Sequence, residues 1–82
     1  MYELVYSGQA VKDLKKLDKE IQIRIISTLE RIRIRPQIHV LKLVGSPYYR
    51  LRVGDYRVIL NIVEDKVLIF VIEVGHRRNI YS

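Results

Sequence analysis

The spacing of apolar residues changes period partway along this chain. Residues 2–6 (YELVY) alternate weakly, which predicts a short first strand. Ala10, Val11, Leu14 and Leu17 then fall at helical spacing, with Ser7 placed to cap a short first helix. Asp18 is a capping residue for a second helix, expected to run to about Arg35, where Pro36 stops it. On that helix Ile21, Ile25, Leu29 and Ile32 form one stripe, the face that should cover a sheet. The strings IQIRII and RIRIRP also alternate with period two. A strand reading is therefore open, but the segment's length and the continuous stripe favour helix. Ile23, Ile26 and Ile34 are left on the opposite side. Scattered surface isoleucines are common; a docking site for another chain is the sharper reading.

After Pro36 the pattern is irregular, with a short apolar pair, Leu41 and Leu43, and a turn at Gly45, Ser46 and Pro47. It then becomes β. Residues 48–53 read as a strand, Gly54-Asp55 as a two-residue hairpin loop with glycine first, and residues 56–63 as the next strand. Glu64-Asp65 is expected to turn the chain into a last strand over residues 66–75. Residues 67–72 lack polar alternation, so that strand should be central and covered on both faces. The expected class is α+β: a β-α-α-β-meander, two N-terminal helices on one face of a mostly antiparallel sheet of four to five strands.

A Gly54-Asp55 loop fixes the register. Arg52 then pairs with Arg57, Leu51 with Val58 and Arg50 with Ile59. Tyr49, Leu51, Val53, Tyr56, Val58 and Leu60 share the helix-facing side, and Arg50, Arg52 and Arg57 share the other. Like charges directly opposite in a sheet are destabilising, so an anion on that face would offset them; splaying into water is the plain alternative. The same register, carried across the second turn, puts Leu68, Phe70 and Ile72 on the arginine face and turns Glu73 to the helix face. Phe70 reads as sheet packing more readily than as a platform for a base.

The chain has 82 residues, a single domain over 1–82. It has no cysteine, which excludes a disulfide scaffold, thiolate metal sites and a cysteine nucleophile. With two histidines, no structural metal is expected. No apolar run approaches the length that spans a bilayer, and the N-terminal residues lack the pattern of a secretory leader. The expectation is a small soluble cytoplasmic protein with no membrane partner.

Charge sharpens the picture. Residues 1–30 and 58–82 are each neutral overall. Residues 31–57 carry Arg31, Arg33, Arg35, Lys42, Arg50, Arg52 and Arg57 against Asp55 alone, which is the whole net charge of +6. Arginine's planar fork suits phosphate, so nucleic acid is the first partner class; a solvated basic surface is the plain reading. The C-terminal segment leaves the last strand at Gly75 and carries His76, Arg77, Arg78 and Tyr81 near the sheet's end. His and Tyr can move protons, and Arg can hold a phosphate.

The string Tyr49-Arg-Leu-Arg-Val-Gly-Asp-Tyr-Arg-Val58, followed by Val74-Gly-His-Arg-Arg-Asn-Ile-Tyr81, resembles the RelE family of the RelE/ParE toxin superfamily, its archaeal members in particular. The resemblance spans the whole chain. It implies a ribosome-dependent endoribonuclease that cuts mRNA in the A site. In that chemistry a 2′-hydroxyl attacks the adjacent phosphate, without metal or other cofactor. It also implies a RelB-like antitoxin as partner, and operator DNA as a partner of the two together. By position, Arg50 and Arg52 match the family's two basic strand residues, and Arg57 the strand arginine on the scissile phosphate. Arg77 matches the arginine after the last strand, and Tyr81 the C-terminal tyrosine. Arg78 is a further phosphate-binding candidate. Lysines of the best-known bacterial members are replaced here by arginines, which stay protonated, so His76 becomes the expected proton-transfer group. Ile23 and Ile26 are the expected antitoxin contacts. ParE relatives share the fold, inhibit DNA gyrase and lack much of the basic site; a gyrase inhibitor or a non-catalytic nucleic-acid binder is the alternative.

Overall fold

A computed structural model describes residues 1–76; Arg77, Arg78 and Tyr81 lie outside the described residues. Five strands form one sheet: β1 (Glu3–Tyr6), β2 (Leu41–Lys42), β3 (Tyr49–Val53), β4 (Tyr56–Val63) and β5 (Leu68–His76), in the order β1-β5-β4-β3-β2. β1 runs parallel to β5, and the other pairs are antiparallel. Helices α1 (Gly8–Lys15) and α2 (Lys19–Arg31) supply the apolar side chains that close the core over this sheet. Ile25, Leu29 and Ile32 are fully buried against a sheet face that includes Leu51, Val58, Leu60, Ile69 and Val71. The α+β expectation and the isoleucine–leucine stripe are as the sequence pattern gives them. β5 is central, but helices cover only one of its faces; Phe70 on the other is exposed.

An eight-residue helix such as α1 has little stability of its own. Ser7 and Asp13 fasten it to the sheet. The Ser7 hydroxyl accepts the Ala10 N–H at 3.0 Å, as an N-cap should, and donates to the Ile72 carbonyl at 2.6 Å. The Ser7 N–H donates to the Val71 carbonyl, and Asp13 Oδ2 accepts the Val74 N–H at 2.9 Å. α1 therefore satisfies backbone groups of β5 beyond the reach of β1, whose last pair is Tyr6 with Val71.

Two boundaries differ from expectation. α2 ends at Arg31, not Arg35. Arg33 turns back instead: its carbonyl accepts the Tyr2 N–H at 2.9 Å and its Nε donates to the Tyr2 carbonyl at 2.7 Å. Arg35, held out of the helical region by the following proline, is extended, and the buried Pro36 opens a short 3₁₀ turn, Pro36–Ile38. Asp18 occupies the N-cap position of α2, yet its side chain makes no capping bond.

The second difference is the turn after β4. Glu64–Lys66 form a 3₁₀ turn and Val67 takes φ +54, so β5 starts at Leu68 and Val63 pairs with Leu68. The loop is two residues longer than the expected Glu64-Asp65 turn. An even shift leaves Leu68 and Phe70 on their expected face. A β-bulge then intervenes: Leu60 pairs with Val71, but Ile59 pairs with Glu73. Beyond it every side chain of β5 changes face. Val74 enters the core, Ile72 is the extra residue, and Glu73 joins the arginine face, contrary to the uninterrupted register. The first hairpin is as expected: Arg52 pairs with Arg57 across Gly54-Asp55, and Gly54 takes φ +59.

Tyr6 gives the fold a measurable alkaline limit. Its hydroxyl is buried without a protein hydrogen-bond partner. Burial, and then the Glu30 carboxylate, raise its pKa above that of an ordinary tyrosine. The neutral phenol is thus favoured in the folded state. Relative to a phenylalanine, this contribution is complete below the unfolded pKa of about 10 and is lost as pH rises through the higher folded value. Tyr6→Phe is expected to match or exceed the parent's stability at pH 7, by up to about 1 kcal/mol. Above about pH 10 the advantage of Tyr6→Phe should widen. Urea melts across that range check both; parallel pH profiles would contradict it.

Candidate functional site

The open face of the sheet holds a cavity of about 620 Å³, walled by β2 and the residues after it and floored by β3, β4 and β5. Arg50, Arg57, Ile59 and Glu73 line it, with Lys42, Ser46 and Tyr48 on the wall. Pairing explains the arrangement. Across the sheet, one row runs Leu41, Arg50, Ile59, Glu73, and the next runs Arg52, Arg57, Gly75. Arg50 and Glu73 are therefore two strands apart, roughly 10 Å between backbones, and Arg57 lies diagonally between them.

Arg57 is the buried cation of the site, with 6% of its surface exposed. Its neighbour on β5 is Gly75, which adds no side chain above the guanidinium. Its guanidinium suits a carboxylate or a phosphate, and Glu73 lines the same cavity. The combination of two guanidinium groups and one carboxylate in one cavity can bind a phosphodiester, stabilise added negative charge on it and accept a proton.

The structure divides the remaining candidates. Arg52 pairs with Arg57, but it is exposed and its Nε donates to the Gly54 carbonyl at 3.3 Å; it belongs to a second recess, with Arg24 and Arg31 of α2. The expected cluster of three arginines is thus a pair plus one. His76 pairs with Tyr56, and the two rings meet edge to face with centroids 5.4 Å apart. Tyr56 alternates with Arg57, so this places His76 on the helix side of the sheet, in a recess with Asp13, Lys16 and Leu17 that Glu73 also lines. The bulge that brings Glu73 to the cavity is what carries His76 away from it. Phe70 lies opposite Asn61, beyond the Ile59–Glu73 row and away from Arg57. Ile23 and Ile26 are exposed on α2, as the pattern suggests.

Ser46 and Tyr48 are cavity residues that sequence reasoning misses; Lys42 enters it only as part of the basic segment, and Glu73, a carboxylate candidate by position, is turned away by the uninterrupted register. For Glu73 a signal exists: buried Val71 and Val74 stand three apart, an odd spacing that an uninterrupted strand cannot bury on one face. For the wall residues none exists, because a two-residue strand carries no periodicity.

Residues 4–81 match the family model described as the ParE toxin of the type II toxin–antitoxin system parDE. The mRNA interferase toxin RelE of Escherichia coli K12 is 31% identical, over 99% of this chain and 90% of its own length. Toxin RelE3 of Methanocaldococcus jannaschii is also 31% identical, over 98% of this chain and 96% of its own. In three dimensions the intact Escherichia coli RelBE toxin–antitoxin complex matches with a TM-score of 0.77 at 30% identity, covering 93% of this chain and 96% of that one. The archaeal RelE–RelB complex from Pyrococcus horikoshii matches at 0.82 and 28%, covering 95% and 97%. Sheet order, helices and length thus agree with the RelE toxins from end to end, and the chain belongs to the ParE toxin family of type II toxin–antitoxin systems, on its RelE side.

Proposed function

We propose that this protein is the toxin of a RelBE-type pair, an mRNA interferase that cuts messenger RNA on the ribosome. The observation that carries the reading is the cavity in which Arg50, Arg57 and Glu73 meet, on a chain 31% identical to a RelE named as an mRNA interferase toxin. A gyrase inhibitor has no need of a buried arginine and a carboxylate lining one cavity with room for more than a phosphate group.

The chemistry follows from the groups present. The RNA 2′-oxygen forms a bond to the neighbouring phosphorus and loses its proton to a base. The bond to the 5′-oxygen breaks, and that oxygen takes up a proton. Arg57, with Arg50 beside it, holds the phosphate and the charge that grows on it. Glu73 is the carboxylate in the cavity placed to accept the 2′-proton. His76, the base implied by family resemblance, would have to turn from Tyr56 to reach the same hydroxyl. Arg77, Arg78 and Tyr81 follow β5 directly, and we assign them the phosphate and leaving-group side of the site. Ile23 and Ile26 are the surface proposed for a RelB-like antitoxin, and the pair is the form that would bind operator DNA.

Four outcomes are expected. Ribosomes programmed with message should yield 2′,3′-cyclic phosphate ends, with activity surviving EDTA; 5′-phosphate ends, or intact message together with inhibited gyrase, would move the protein to another class. Arg57→Gln should cut the rate by about 10²–10³-fold while the protein still folds and melts cooperatively, since it removes a preorganised donor. Glu73→Gln should slow cleavage by about 10²-fold, whereas an equal loss in His76→Ala with Glu73→Gln near the parent rate would return the proton to the imidazole. For the antitoxin surface, Ile26→Asp should weaken the toxin–antitoxin complex in a titration while the free toxin melts as before; unfolding would mark Ile26 as a core residue.

A further inference from the structure

α2 has three faces. At about 100° per residue, Ile25, Leu29 and Ile32 point to the core, Ile23 and Ile26 point roughly 120° to one side of it, and Arg24, Ser27, Thr28 and Arg31 point roughly 120° to the other. The third face lies against the open end of the β3–β4 hairpin. There Arg24 and Arg31 converge with Arg52 and Gly54 around a recess of about 390 Å³.

Three properties set this recess apart from an ordinary basic surface. No carboxylate lines it. Glu20 stands one turn before Arg24, in good position for an ion pair, yet among the described residues the ion pair formed is Arg33 with Glu30. The arginines thus face one another and leave the available carboxylate aside. Second, the turn is shaped to admit them: the Arg24 guanidinium lies 3.4 Å from where a Cβ on Gly54 would stand, and Arg52 Nε is anchored on the Gly54 carbonyl. Third, the recess neighbours the cavity on the open face through one cross-strand pair, although the two have no lining residue in common. Arg52 is the cross-strand partner of Arg57, so a path of guanidinium groups runs from Arg57 over Arg52 and round the edge of β3 to Arg24 and Arg31. β2 pairs only with Tyr49 and Arg50, which leaves that edge uncovered at Arg52.

We propose that Arg24, Arg31 and Arg52 form a second phosphodiester site, which holds the RNA strand at a point away from the bond being cut. The inference rests on the nuclease reading above and names what a further part of the surface does in it. Repeated negative charge is what such a path selects: one strand laid along it places a phosphate in each recess. The Ser27 hydroxyl on the same face adds a neutral donor, while that of Thr28 is already given to the Arg24 carbonyl. The isoleucine face adjoins this one round α2, with Ile23 one turn from Ser27.

The test measures binding of single-stranded poly(U) RNA to the intact protein across a series of salt concentrations, with Arg24→Gln/Arg31→Gln, Arg24→Lys/Arg31→Lys and Ser27→Asp variants. Loss of the one phosphate contact made in this recess should reduce the slope of log K against log salt by about 0.7 on a single strand. The lysine pair should restore most of the slope. Ser27→Asp, which adds a repelling charge without removing an arginine, should lower affinity on its own. All three positions are exposed or half-buried, and melting curves should superimpose. An unchanged slope in the glutamine pair, with unchanged affinity in Ser27→Asp, would overturn the proposal. So would normal RNA binding combined with lost antitoxin binding, which would make the recess a seat for an acidic protein segment. Failure of the nuclease reading shows separately, as absence of cleavage by a wild-type protein whose RNA binding still responds to these substitutions.

Discussion

Everything in this molecule depends on how β5 disposes of its backbone and of one extra residue. The strand is bonded along both edges at its start, but β1 ends at Tyr6, opposite Val71. From there the N–H and C=O groups that point toward β1 would be buried without partners, at a cost of roughly 1–3 kcal/mol each. Ser7 and Asp13 of α1 meet them, so the helix that covers the core also takes over from a strand. Directly across, the bulge against Ile59 and Leu60 absorbs Ile72 and reverses the faces of the rest of β5. The two features occur in the same few residues, and the helix contacts hold in place a strand that has lost its regular ladder.

That reversal decides the chemistry. Without it Val74 would face the open side and Glu73 would be driven into an apolar core, an arrangement no stable domain tolerates. With it Val74 is buried and Glu73 lines the cavity that the buried Arg57 also lines. Core packing and construction of the site are therefore one event: the apolar requirement of Val74 is what delivers Glu73. Bulges of this kind re-aim side chains next to active sites in many sheets.

Cations are distributed by the same logic. A small basic protein has to place many like charges close together, and this one sorts them by burial. Arg57 is enclosed, Arg50 is half-buried at the cavity, and Arg52, Arg24 and Arg31 line an exposed recess at the edge. Arg33 is committed to the fold, to Tyr2 and Glu30. The deep arginine is the one suited to a single charged atom group in a water-poor space; the shallow ones suit a strand's worth of screened phosphates.

The amino-acid sequence by itself determined the α+β class, the two helices, the apolar stripe of α2, the Ser7 cap and the Gly54-Asp55 hairpin with its Arg52–Arg57 pair. Each of these is a local matter: periodicity, a capping hydroxyl, a glycine at positive φ. The paired strings around Arg57 and Gly75 were legible too, and they led to the right family. Where α2 stops, where the last turn ends and which face Glu73 and His76 occupy were decided only in three dimensions. Arg33 leaves the helix because Tyr2, distant in sequence, offers its backbone; Val67 adopts its left-handed conformation because β5 must find its place beside β4. The bulge exists because Val71 and Val74 both have to reach one core. A single extra residue inverts a strand, and period-two reasoning has no means of locating it until the core against which the strand packs is known.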